Sequence, residues 1–86
     1  MASLRVEFVR SATKDLRGID RKWISKIIPA IEALADDPRP AGCRKLVGSE
    51  YSYRIRVGDY RVIYEIQDLE LVVLIVRVRH RRDVYR

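Results

Sequence analysis

Arginine is the residue type in this chain best placed to do chemistry. Arg54 and Arg56 lie two apart, Arg61 follows, and Arg77, Arg79 and Arg81 repeat the two-residue step. From Tyr51 onward there are eight Arg and no Lys. A guanidinium group offers planar, paired donors that match the oxygens of a phosphate. Residues two apart on a strand share one face of a sheet. Such a run therefore gathers positive charge on one side, where it can hold an anion or stabilise charge developing on a reacting phosphate. The same pattern would also suit a solvated face, with long side chains covering Ile63 and Ile75. The other reactive groups are sparse. His80 is the one imidazole and Cys43 the one thiol, so neither an intrachain disulfide nor a usual zinc site is expected. Tyr85 stands in a basic tail, where an aromatic ring could stack on a base.

These residues need strands to position them. Tyr51–Val57 and Tyr60–Gln67 alternate, and Leu71–Arg79 starts as an apolar run and then alternates. Gly58-Asp59 reads as a two-residue hairpin turn with glycine first. That turn sets Val57 opposite Tyr60, Arg56 opposite Arg61, Ile55 opposite Val62 and Tyr53 opposite Tyr64. Asp68-Leu69-Glu70 is expected as a three-residue loop, which puts Arg61 opposite Arg77 and brings Arg77, Arg79 and Arg81 to the same face. Tyr60, Val62 and Tyr64 then align with Leu74, Val76 and Val78 as an apolar face. Like charges directly opposite cost up to about 1 kcal/mol per pair. No acid of matching parity lies close by, which favours an anion-holding face over a merely solvated one.

Upstream, Leu4–Val9 alternates as a strand. Ser11 is placed as the N-cap of a short helix ending near Gly18, and Asp20 as the N-cap of the next. Trp23, Ile24, Ile27, Ile28, Ile31, Leu34 and Ala35 form an apolar helical stripe that should survive the interior Pro29 with a bend. Asp36–Glu50 is rich in breakers and reads as a loop, with Leu46 tucked into the core. Arg81–Arg86 forms one helical turn or a tail. The order is β-α-α-β-β-β. The expected fold is α+β, with a helix hairpin packed on one face of a small, mostly antiparallel sheet. Tyr53, Tyr60, Tyr64 and Trp23 belong to the core, and Cys43 is an inert passenger.

With 86 residues the chain has room for one domain, 1–86, and not for a large internal cavity. The net charge of +6 points to an anionic partner. Met1–Arg10 has no apolar segment of signal-peptide kind, and the run Leu71–Val76 is far too short to span a bilayer, so a cytoplasmic setting without membrane contact is expected.

At these residues the chain resembles the RelE/ParE superfamily of toxins of type II toxin–antitoxin systems, and more closely the RelE branch. The resemblance covers nearly the whole chain. It runs through Arg44-Lys45-Leu46-Val47-Gly48, is strongest in Tyr53–Tyr64, and returns in Val78–Tyr85 with its His-Arg-x-x-Val-Tyr ending. It implies a RelE-like fold and an endoribonuclease that cleaves mRNA in the ribosomal A site, by metal-independent attack of the ribose 2′-OH on the adjacent phosphate. No cofactor is implied. Carried over by position, the catalytic set is Arg54, Arg56, Arg61, Arg81 and Tyr85. Arg61 would hold the scissile phosphate, Arg81 would stabilise the transition state, and Tyr85 would stack on the base. Arg77, Arg79 and His80 are expected to bind RNA. The implied partners are mRNA on the ribosome, a RelB-like antitoxin, and operator DNA for the toxin–antitoxin complex. The family pattern has lysines where this chain has Arg54 and Arg56. Guanidinium groups stay protonated to a pKa above about 12, which leaves His80, or no side chain, as the general base. The rival readings are a ParE-like inhibitor of DNA gyrase and an inactive member that only binds antitoxin or nucleic acid.

Overall fold

The computed structural model describes residues 3–84. The elements are β1 (Arg5–Phe8), α1 (Arg10–Arg17), α2 (Arg21–Ala33), β2 (Arg44–Lys45), β3 (Ser52–Val57), β4 (Tyr60–Gln67), β5 (Val72–His80) and α3 (Arg81–Val84). The strands form one sheet in the order β1-β5-β4-β3-β2. β1 pairs parallel with β5, and every other pairing is antiparallel. The α+β class and the helices on a mostly antiparallel sheet are as expected. One strand is new. β2 lies within the expected Asp36–Glu50 loop, where surrounding breakers hide its two residues, and Leu46 beside it is half-buried.

α2 behaves as its sequence predicts. Asp20 caps it, accepting from the Lys22 N–H at 3.0 Å. The helix continues through Pro29 because Ile27, Ile31 and Leu34 are almost fully buried against the sheet. The burial of three such side chains outweighs the roughly 3 kcal/mol that an interior proline costs. α1 starts differently. Val9 occupies the N-cap with no side-chain bond, so the expectation for Ser11 is corrected. Ser11 lies inside the helix, and its hydroxyl donates to the Val76 carbonyl at 3.1 Å. Four residues on, the Asp15 carboxylate accepts from the Val78 N–H at 3.0 Å. β1 pairs β5 only as far as Ile75, and these two α1 side chains serve the strand edge beyond it.

The β3–β4 turn matches its predicted register throughout. Gly58 has φ +58°, while Asp59 does not share that conformation, so the turn is glycine-first. A Cβ on Gly58 would collide with the Trp23 ring. The β4–β5 connection corrects the expected one. Gln67 pairs with Val72, leaving the four residues Asp68–Leu71 as the loop, with Leu71 at φ +57°. A bulge then adds one residue at Val76, between the pairs Tyr64–Ile75 and Ile63–Arg77. Val73 and Ile75, in place of Leu74 and Val76, therefore join Val62, Tyr64, Ile66 and Val78 in the core under the helices. The loop and the bulge each shift the register by one, so parity is restored beyond Val76. Arg77 and Arg79 still share a face with Arg61. Arg61 now stands opposite Arg79, and Arg77 opposite Ile63.

Candidate functional site

The outer face of the sheet brings four arginines together. Arg44, Arg54, Arg56 and Arg61, with Gly42, line a hollow of about 220 Å³. Strand pairing builds it. Arg44 stands opposite Arg54, and Arg56 opposite Arg61. The Ile66 N–H bonds to the Tyr51 carbonyl, so odd-numbered β3 residues form the hydrogen-bonded pairs with β4. Arg56 and Arg61 are thus a non-hydrogen-bonded pair, the kind whose side chains approach closest, at a Cα separation of about 4.5 Å. Among the described residues, the lining is four guanidinium groups and one glycine. These are planar donors of the kind that match a phosphate group.

Arg61 departs from the surface position expected of it. It is 7% exposed and is the one charged side chain in the core region among the described residues. Burial costs a charged group hydration and strengthens its field on whatever anion reaches it. Arg56 is exposed, and its Nε donates to the Gly58 carbonyl at 3.3 Å. Arg81 begins α3. Its N–H donates to the Asp59 carbonyl at 2.7 Å, and its Nε lies 3.8 Å from an Asp59 carboxylate oxygen. Adjacent residues of one turn therefore anchor Arg56 and Arg81.

The remaining candidates separate from this group. Arg77 is committed to α1. Its Nε lies 3.0 Å from Asp15 Oδ2, and its Nη2 donates to Asp15 Oδ1 at 3.2 Å. Pairing of strands alone could not reveal this acid, because it arrives from a helix. Arg79 stays on the outer face opposite Arg61. His80 is opposite Tyr60, on the helix side, with the two rings edge-on at 5.3 Å. Its Nδ1 accepts from the Arg82 N–H at 3.3 Å. The imidazole does not line the arginine hollow. Tyr85 lies outside the described residues.

Sequence reasoning missed Arg44 as a site residue. It belongs to the basic-Leu-x-Gly segment quoted above, and its placement depends on β2. The loop leading to β2 is pinned by Tyr64, which is fully buried and donates to the Pro38 carbonyl at 2.7 Å. Burial pushes the ionisation of Tyr64 well up, so it stays a neutral donor. Arg39 stacks over Tyr53 at 5.3 Å and donates to its hydroxyl at 3.2 Å, and Cys43 packs half-buried against the core. Among the described residues, no helix is long and apolar enough to cross a membrane.

The family described as ParE toxin of type II toxin–antitoxin system, parDE, matches residues 6–85. The toxin RelG of Mycobacterium tuberculosis is 33% identical over 85 residues, covering 94% of this chain and 94% of its own. Among solved structures, the toxin–antitoxin complex RelBE2 from Mycobacterium tuberculosis contains a chain that superposes with a TM-score of 0.80 at 27% identity, over 92% of this chain and 99% of that one. The archaeal RelE–RelB complex from Pyrococcus horikoshii gives a TM-score of 0.81 at 27% identity, over 92% and 96%.

Proposed function

The chain belongs to the ParE toxin family of type II toxin–antitoxin systems and is a toxin of the RelE type, and from that premise we propose that it is an endoribonuclease that cuts mRNA in the ribosomal A site. The observation that carries this reading is the gathering of Arg44, Arg54, Arg56 and Arg61 around one hollow on the outer face of the sheet. In the proposed reaction the ribose 2′-oxygen attacks the adjacent phosphorus. The bond to the 5′ oxygen breaks as the 2′-OH proton passes to solvent and the 5′ oxygen takes a proton from solvent, leaving a 2′,3′-cyclic phosphate and a 5′-hydroxyl. Negative charge builds on the phosphoryl oxygens during the step. Arg61, rigid through burial, holds the scissile phosphate, and Arg54 and Arg56 share the added charge. Arg81, fixed by Asp59, stands at the same turn to stabilise the departing oxygen, and Tyr85 stacks on the base. Arg79 extends the RNA contact. Among the described residues, no side chain of the hollow can accept the 2′-OH proton near neutral pH. This reading therefore assigns the chain's contribution to electrostatics and positioning, with the geometry of the bound mRNA supplied by the ribosome.

The proposed partner in the resting cell is a RelB-like antitoxin, since the similar chains described above were solved in toxin–antitoxin complexes. Operator DNA is proposed as a ligand of that complex, and the cytoplasm as its setting. The family match also keeps a ParE-like reading in view, in which the target is DNA gyrase. One experiment separates the two. Purified protein is added to programmed ribosomes and mRNA 5′ ends are mapped, with gyrase supercoiling measured in parallel. Cuts within the A-site codon bearing 5′-hydroxyl ends are expected. Uncut mRNA together with inhibited supercoiling would overturn the nuclease reading.

A further inference from the structure

The other concentration of charge lies on α1. Its Arg10, Thr13, Lys14 and Arg17 line an open hollow of about 420 Å³. At helical spacing these residues share one side, while Ala12, Asp15 and Leu16 take the other, towards the sheet. The three cations are exposed and span about 10 Å along the axis. Local stability accounts for them only in part. Lys14 and Arg17 lie in the last turn, where the helix dipole favours cations, but Arg10 sits at its positive end with no acid in the first turn. Arg10 and Lys14 are four apart, Lys14 and Arg17 three apart, and like charges at both spacings repel. The helix's own acid, Asp15, is turned away and occupied by Arg77 and the Val78 N–H.

We infer that the outward side of α1 is a second docking surface, and that it takes an RNA backbone at a place separate from the arginine hollow. The inference rests on reading RNA as the partner. The stripe is polar throughout, and the apolar side of α1 is already spent on the core, so the helix has no apolar surface to lay into a lipid interface. A regular row of cations without apolar neighbours suits a repeating phosphate polymer. Two basic surfaces on one small body let a folded RNA grip the chain outside the segment to be cut.

The test is binding by the whole chain to a 2′-O-methylated RNA hairpin, which cannot be cleaved, over a series of salt concentrations. Replacing the stripe (R10Q, K14Q and R17Q together) removes three phosphate contacts. The slope of log K against log salt should become shallower by about 2–3, with the melting temperature unchanged. A second variant, R54Q with R56Q, should lower the slope independently, and the two losses should add. An unchanged slope in the triple variant overturns the inference. Lost binding to phosphatidylglycerol vesicles with the RNA slope intact overturns it in favour of a lipid surface. Because the hairpin is inert, a parent chain that binds it steeply yet cuts no mRNA would sink the nuclease reading and leave this one standing. Intact cleavage with an unchanged slope would do the reverse.

Discussion

The outer face of the sheet carries arginines in two conditions. On β2, β3 and β4, Arg44, Arg54, Arg56 and Arg61 surround one hollow. On β5, Arg77 lies on the same face and looks equivalent in sequence, yet its guanidinium is 3.0 Å from the Asp15 carboxylate. The first group gathers charge around one hollow. The second joins a helix to a strand through an ion pair. What separates them is that a helix delivers Asp15 to Arg77, and strand alternation says nothing about that.

The largest effect is expected at Arg61, the buried member of the first group. Arg61→Ala should lower A-site cleavage by about 10²–10³-fold, the usual loss when one preorganised donor to a charged transition state is removed. It should also destabilise the protein by about 1–3 kcal/mol, because the side chain is 7% exposed and part of the packing. Urea unfolding and mRNA end mapping on the same preparation check both. Full cleavage by the folded variant would remove Arg61 from the site.

Next in size is Gly58→Ala, expected to cost about 3 kcal/mol from the left-handed backbone and the collision with Trp23. It should also weaken cleavage in whatever remains folded, since Arg56 and Arg81 are both anchored on this turn. Asp15→Ala probes the neutralised side. It deprives Arg77 and the Val78 N–H of their partner and should cost about 1–3 kcal/mol, while the folded fraction cleaves mRNA at the parent rate. Cleavage lost in proportion to more than the unfolded fraction would erase the distinction between the two groups of arginines.

Much of this could be read from the residues themselves. The Gly58-Asp59 turn fixes the β3–β4 register by local chemistry, and the pairing of Arg56 with Arg61 follows without tertiary information. The β4–β5 connection was harder. Asp68-Leu69-Glu70 gives no sign that Leu71 adopts a positive φ, nor that Val76 is extruded as a bulge. Two compensating one-residue shifts left the face of Arg77 and Arg79 correct and their partners wrong. The role of Asp15 was hidden for a different reason, since a helix-to-strand contact 62 residues apart in sequence leaves no periodic trace. Arg44 was hidden by β2, which is two residues long and held by its neighbour β3 more than by its own propensity.

The smallest effect concerns how the hollow's arginines are held in place. Tyr64 donates to the Pro38 carbonyl and so fixes the loop that presents Gly42 and Arg44. Tyr64→Phe removes that bond and should cost about 1 kcal/mol at neutral pH. It should lower RNA affinity modestly, through Arg44 alone. The pH dependence has a definite sign. Burial raises the hydroxyl's ionisation above its usual value, so the folded state favours the neutral form. The stability this group contributes is fully present below about pH 10, the value of an unfolded tyrosine, and is lost as pH rises through the higher folded value. Parent and variant should therefore differ by a constant amount from neutral pH to about pH 10, above which the parent should lose stability faster. Thermal melts across that range check it. Parallel decline of the two proteins above pH 10 would mean that the Tyr64 hydroxyl is not held as a neutral donor, and that the loop carrying Arg44 is positioned by the Arg39–Tyr53 contact instead.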